Sequence, residues 1–349
     1  MKKWLKVLAV NSFVLLMVLL VVEIIIRVSG IYYPNSTTEI ELGQGDKLLI
    51  RSSDSKRVNF VEAKNLVEYN DLGFHDRTAE SAANGEGYKI GFFGDSFVEG
   101  AQLPTDSLFT SLLADNLKGR AQIFNFGVGG TGTAYQYKLF ENYVSHKLDL
   151  DYLYLCIFLG NDIEDSDPNI KSHPNYHWIV KGNSVVQVNK KDYSFFQSLV
   201  RFCRGGSALL NFTYDKLYRF RRIQSSKKSD NHNHQTGESS TPQVEKGISL
   251  QDSTYIFNLA SLMSDWRREF GADRFSVMII DENRYADRPK CKYLLESLDS
   301  LGIRQIPLNM TNDESTHYLD GLGHYNARGH EIWAEVAEND ILKSVLSAK

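Results

Sequence analysis

Four short stretches carry residue types that could work on an ester or amide bond. Gly94-Asp95-Ser96 offers a hydroxyl next to a carboxylate, and Asn125-Phe-Gly127-Val-Gly-Gly130-Thr-Gly-Thr offers backbone N–H groups with no side chains in the way. Gly160-Asn161-Asp162 offers a side-chain amide that can donate to a developing oxyanion. Asp320-Gly-Leu-Gly-His324-Tyr-Asn-Ala-Arg-Gly-His330 offers an imidazole, the usual base for a serine hydroxyl, and a carboxylate that could fix its tautomer. Each alone is also ordinary turn or capping chemistry. Their weight comes from the elements that hold them.

Gly94 ends the apolar run Lys89-Ile-Gly-Phe-Phe93, read as a strand, and helical spacing follows from Thr105 to Leu117. Ala121–Phe126 is a second strand, with a helix near Ala134–His146 behind it. Tyr152–Phe158 is nearly continuous apolar sequence, as a strand covered on both faces requires. A helix near Ser253–Phe270, a strand at Phe275–Ile280, a helix near Pro289–Leu301 and a strand at Ile303–Pro307 come next, and Ala327–Leu346 closes the chain as an amphipathic helix. Alternating strands and helices predict an α/β fold with a parallel sheet covered on both faces. Three of the four stretches then stand directly after a strand, where open α/β sheets collect their reactive groups. The fourth precedes the last helix.

The order and context of these stretches resemble the four sequence blocks of the SGNH (GDSL-like) hydrolase superfamily, over about residues 88–162 and 250–349. Tyr69-Asn-Asp-Leu-Gly73-Phe-His-Asp76 is similar to a segment that precedes the first block in many bacterial exported, membrane-anchored members. The resemblance implies a flavodoxin-like fold with a five-stranded parallel sheet. It implies Ser96 as nucleophile and His324 as general base, with the N–H groups of Ser96 and Gly130 and the Asn161 amide as oxyanion donors. The family sets its acid three residues before the histidine, whereas Asp320 lies four before His324. Either the loop bulges and Asp320 still orients the imidazole, the favoured reading, or a backbone carbonyl serves. His330 takes the family's terminal Gly-His place and is read as structural, with His317 as an outside candidate for the base.

The N-terminus sets the location. Lys2, Lys3 and Lys6 precede an apolar run from about Val7 to Ile26, and about twenty such residues cross a hydrocarbon core of ~30 Å. A cleaved signal peptide has a shorter apolar stretch and a small-residue cleavage site. Residues 1–27 are therefore read as a transmembrane anchor that leaves the rest outside the cytoplasm, because the lysines outweigh Arg27. Residues 28–87 read as a strand-rich lead-in and 88–349 as the hydrolase domain. An insertion after the third strand covers about 165–250, with residues 224–247 too polar to pack. Within it, Phe195–Ile223 interleaves aromatic and basic residues, so it could lie on an anionic membrane surface. The favoured reading is a helix packed on the domain with a solvated basic face.

A net charge of -4 excludes nucleic acid as the main partner. Three cysteines show no metal-ligand spacing, and His232 and His234 lack companions, so neither metal nor cofactor is expected. The sequence thus points to a serine esterase acting on O-acyl, including O-acetyl, esters of a small molecule or of a cell-envelope or exported glycan. A polysaccharide O-acyltransferase using the same serine, and a non-enzymatic glycan-assembly or glycan-binding protein, are the competing readings. The oligomeric state is not legible.

Overall fold

Along the strands, successive side chains enter two different cores. Tyr152, Tyr154 and Cys156 of one strand lie in one buried cluster, while Leu153, Leu155 and Ile157 lie in another. Period-two alternation with both faces apolar is what a strand inside a covered parallel sheet demands. The computed structural model shows that sheet. It describes residues 2–30, 32–33, 36–43, 45–59, 65–77, 87–170, 177–188, 207–214, 216–217, 248–282, 285–310, 315–317 and 323–347.

A long helix α1 (Lys2–Val28) is followed by two antiparallel hairpins, β1 (Thr37–Gly43) with β2 (Asp46–Arg51) and β3 (Lys56–Asn59) with β4 (Asn65–Glu68). The main α/β unit then runs β5 (Tyr88–Gly94), α2 (Ser96–Glu99), α3 (Phe109–Asn116), β6 (Ala121–Gly127), α4 (Thr133–Asn142), β7 (Tyr152–Phe158) and α5 (Asp162–Asp165). A third hairpin, β8 (His177–Lys181) with β9 (Ser184–Val188), precedes α6 (Leu250–Phe270), β10 (Phe275–Ile280), α7 (Pro289–Ser300), β11 (Gln305–Leu308) and α8 (Ala327–Asp340). The five-stranded sheet has the order β6-β5-β7-β10-β11, and all four pairings are parallel. In chain order that is 2-1-3-4-5, the doubly wound flavodoxin-like arrangement, whose direction reverses between β5 and β7. The predicted fold class is therefore found.

One face of the sheet is covered by α4, α6 and α7, where Trp266 packs against Phe93, Phe140 and Phe275. The other is covered by α3 and α8, where Phe109 stacks on Trp333 at 3.9 Å. Each fully buried aromatic of this kind contributes roughly 1.5–3 kcal/mol. The lead-in joins the first core through Leu48, Ile50, Leu72 and Phe74. The last helix ends earlier than its apolar spacing suggests, passing at Asp340 into a wider turn over Ile341–Val345. The β8–β9 hairpin was not anticipated in the insertion. Its two-residue turn, Gly182-Asn183, uses the left-handed φ of +59° that glycine adopts without strain.

Helix α1 has 27 residues, about 40 Å of rise, and is long and apolar enough to cross a membrane. Its apolar side chains from Trp4 to Ile25 are mostly bare.

Candidate active site

Ser96 and Asn161 follow β5 and β7, the two strands that flank the reversal point, so topology alone brings them to one crevice. Asp95 caps α2, its carboxylate accepting the Phe97 N–H at 2.9 Å, which leaves Ser96 as the first helical residue. The helix is a single turn closed by Gly100 in the left-handed region at φ +59°. It lies hard against the end of β6: a Cβ on Gly127 would stand 2.1 Å from the Glu99 nitrogen. Glycine at that strand end is a packing requirement.

His324 Nε2 is 2.8 Å from Ser96 Oγ, although 228 positions separate them. The imidazole packs edge-on against Phe97, itself against Phe158 and Tyr325. Asn161 Nδ2 donates to Asp165 at 2.8 Å and to Asp95 at 3.3 Å, and Ser96 Oγ is 3.4 Å from the same Asp95 oxygen. Asn161 therefore reaches the serine through Asp95. Burial pushes the Asp95 carboxyl up, against the Phe97 N–H, the nearby His324 and the Asn161 amide, which all favour its charge. Its neighbour Asp162 is pushed well up by burial and by the Asp95 charge.

The other expected residues fall as follows. Gly130, at φ +77°, is exposed and lines a cavity of about 200 Å³ beside the site. It is Gly129 that abuts the serine, for a Cβ there would lie 3.4 Å from Ser96 Cβ. Asp320 lies outside the described residues. His330 is buried, accepts the Phe109 N–H through Nδ1 at 3.0 Å, and is held down to about 3 by burial and by the neighbouring His75 and His324. His317 is buried too, its Nε2 3.1 Å from Glu282, in a left-handed residue at φ +54° that costs a non-glycine strain. The His317 backbone bridges to Tyr325, next to the histidine that faces the serine.

Sequence reasoning missed Glu99. This buried carboxylate accepts from Tyr69 Oη at 2.7 Å and from the Gly129 N–H at 3.1 Å, with Arg57 at 3.3 Å and Arg51 at 3.9 Å. Burial alone pushes it up, but Arg57 and Arg51 overrule that and hold it at about 2. His75 anchors the same turn, its Nδ1–H donating to the Glu99 carbonyl at 2.8 Å while Nε2 accepts from Thr105. Burial lowers that imidazole to about 4, so the ring is neutral. The lead-in segment around Tyr69–Asp76 thus braces the turn that carries Ser96. The only signal was an acid one helical turn after the serine. Among the described residues no group of three or more His, Cys, Asp or Glu side chains could hold a metal ion.

No family model matches the chain, and no curated protein does. Among solved structures, it is similar to a lipolytic protein of the G-D-S-L family from Veillonella parvula, at 11% identity and a TM-score of 0.35 over 73% of this chain and 99% of that one. It is similar to an acetyl xylan esterase from Geobacillus stearothermophilus, at 12% identity and a TM-score of 0.36 over 74% and 96%. A carbohydrate esterase family 2 enzyme from Corynascus thermopiles shares 9% identity at a TM-score of 0.39 over 90% and 88%. The case for chemistry at Ser96 rests on its contact with His324 at the reversal point of the sheet.

Proposed function

We propose that the chain is a serine ester hydrolase, and the observation that carries this is the 2.8 Å contact between His324 Nε2 and Ser96 Oγ. A serine hydroxyl is a weak nucleophile at neutral pH and needs a base within hydrogen-bond reach. In this reading His324 takes the Ser96 proton as Oγ attacks the acyl carbon, and the carbonyl oxygen becomes an oxyanion. The N–H groups of Ser96 and Gly130 stabilise it, joined by the Asn161 amide as its long 3.3 Å bond to Asp95 is given up, and removing one such donor costs about 10²–10³ in rate. His324 returns the proton to the departing alcohol, leaving an acyl-Ser96 ester. Water, deprotonated by the same imidazole, then releases the acid. Asp320 is the proposed orienting acid.

The substrates we propose are O-acyl esters, acetyl esters among them, of a cell-envelope or exported polysaccharide. What supports this is α1, which is long and apolar enough to cross a membrane, together with the lysines that precede its apolar run, whose charge bias would leave the site outside the cytoplasm. A cytoplasm-only reporter fused after Lys349 should stay silent. The full-length protein in detergent should release acetate from acetylated oligosaccharide and take a fluorophosphonate label at Ser96. No label and no release from a folded preparation would overturn the hydrolase reading. Turnover only with a sugar acceptor would make the protein an O-acyltransferase instead.

A further inference from the structure

The single acid of the membrane helix is not idle. Glu23 accepts hydrogen bonds from Ser207 Oγ at 2.9 Å and from the backbone N–H groups of Ala208 and Leu209, both at 2.8 Å, while Arg27 binds it at 2.6 Å. It thereby caps a helical stretch over 208–214 that belongs to the insertion, 184 positions further on. An apolar seam continues the contact, with Ile26, Tyr32 and Ala208 buried and Val22, Leu209 and Phe212 packed around them. The Tyr32 and Phe212 rings meet edge-on at 6.1 Å.

Position along α1 fixes the level of this contact. About twenty residues cross the hydrocarbon core, and the apolar run from about Val7 to Ile26 places Glu23 within one turn of its outer end. The docked stretch therefore lies where acyl chains give way to headgroups. Its sides are opposed: Ala208 and Phe212 face α1, whereas Leu210, Tyr214 and Leu217, at spacings of four and three, project the other way. They are 48%, 47% and 52% exposed. Lys216 stays beside them, over the Phe212 ring at 5.5 Å. A bare apolar stripe with a basic neighbour, clamped to a helix that is itself bare to lipid, suits the boundary of the outer leaflet.

We infer that residues 208–214, with 216 and 217, form a second membrane contact: they lie in the outer headgroup–acyl boundary, with Leu210, Tyr214 and Leu217 in lipid and Glu23 as the clamp. The contact ties the insertion to the anchor and holds the catalytic unit at the membrane surface. The 208–214 stretch packs on α1, which corrects the expectation that the basic segment packs on the domain with a solvated face. The remainder of that segment, 195–206, 215 and 218–223, lies outside the described residues. The inference rests on α1 crossing the bilayer and is independent of the chemistry at Ser96.

The test uses the full-length chain with Cys203→Ser, since Cys156 and Cys291 are buried. Single cysteines replacing Leu210, Tyr214 or Leu217 carry a bimane label in phosphatidylcholine vesicles with about one fifth phosphatidylglycerol, with or without acyl-chain bromine. All three labels should lose about half their emission to bromine, as a probe 5–10 Å below the surface would. A label at Lys118→Cys should lose none and one at Leu16→Cys most. Glu23→Leu, which keeps α1 apolar, should bring the three labels back toward the Lys118 level. Labels at 210, 214 and 217 that stay unquenched and open to aqueous iodide would overturn the inference. Labels shielded from both bromine and iodide would overturn it in favour of a protein partner or second copy. Unchanged quenching in Glu23→Leu would remove the clamp.

Discussion

Ser96 and His324 meet from loops that are held in different ways. The Ser96 turn is pinned by charge: Glu99 lies one turn beyond Ser96, buried, gripped by Arg51, Arg57 and Tyr69 from the lead-in, and it grips the Gly129 backbone in turn. The segment around His324 carries no helix or strand at its described positions 315–317 and 323–326. A bridge between His317 and Tyr325, an Asn326 N–H to the Thr316 carbonyl at 2.8 Å and the buried His317–Glu282 pair hold it, with rings packed around His324. A carboxylate among several cations and donors is fixed before substrate arrives. A segment held by backbone bridging, one buried imidazole–carboxylate contact and ring packing costs less to shift. The Ser96 side is the frame and the His324 side the adjustable part.

The largest effect breaks both sides at once. Ser96→Ala and His324→Ala should each lower kcat on an ester by about 10⁴ or more, with circular dichroism unchanged. The double variant should be little worse than either single one, because the two groups act as a unit. Normal turnover by folded Ser96→Ala would remove the nucleophile, and loss on His317→Ala with His324→Ala active would move the base.

Next come variants that separate frame from adjustable part. Glu99→Ala leaves Arg51 and Arg57 without their buried counter-charge and should cost about 3–5 kcal/mol in denaturant unfolding. Glu282→Gln keeps a partner for His317 and should cost only about 1 kcal/mol, yet lower kcat about tenfold through misplacement of His324, with KM little changed. Equal stability losses for the two variants would dissolve the contrast between the sides.

Acid should loosen them in different windows. His330, beside the base segment, sits at about 3 in the folded chain against about 6.5 when unfolded. The unfolded state therefore binds the extra proton, and the stability tied to this group, complete above pH 6.5, is lost as pH falls toward 3. Glu99, at about 2, keeps its contribution until pH drops below its unfolded value near 4.3. The stability gap between wild type and His330→Asn should narrow by roughly 2 kcal/mol between pH 7 and pH 5, while the Glu99→Ala gap stays level. His75 titrates in the same window as His330, so the single-variant difference isolates the effect. A His330→Asn gap that stays level would show that this imidazole is not held neutral.

The sheet was legible because its strands are buried on both faces, which leaves runs such as Tyr152–Phe158 almost free of polar residues. Ser96 and His324 were legible because glycine-rich turns after strands and a histidine before the last helix are local patterns. The frame was not. Glu99, Arg51 and Arg57 come from three separate elements, and nothing local distinguishes an arginine aimed at a buried carboxylate from one in solvent. The β8–β9 hairpin has only a short signal, five-residue runs with apolar β-branched residues on either side of Gly182-Asn183, and the tie between Glu23 and residues 207–209 spans nearly two hundred positions. Short-range spacing records the chemistry here, while long-range pairing, which the sequence does not spell out, records how it is held.

The smallest effect lies between the two sides, at Asp162. Its Oδ2 accepts the Phe158 N–H at 2.8 Å, and Oδ1 is buried with no hydrogen-bond partner among the described residues. Burial and the Asp95 charge push this carboxyl well up. The folded chain thus keeps a proton that the unfolded chain gives up, and stability is lost as pH rises from about 3.9 through the folded value. Asp162→Asn retains the acceptor for Phe158 and carries no ionisable proton. It should be neutral near pH 4 and more stable than wild type at pH 8, read from denaturant midpoints at the two pH values. Ester turnover should change little, because Asp162 touches neither Ser96 nor His324 and the Asn161 amide keeps Asp165. A loss of turnover as large as that of Glu282→Gln would place Asp162 among the groups that hold the site, and the division into frame and adjustable part would need a third member.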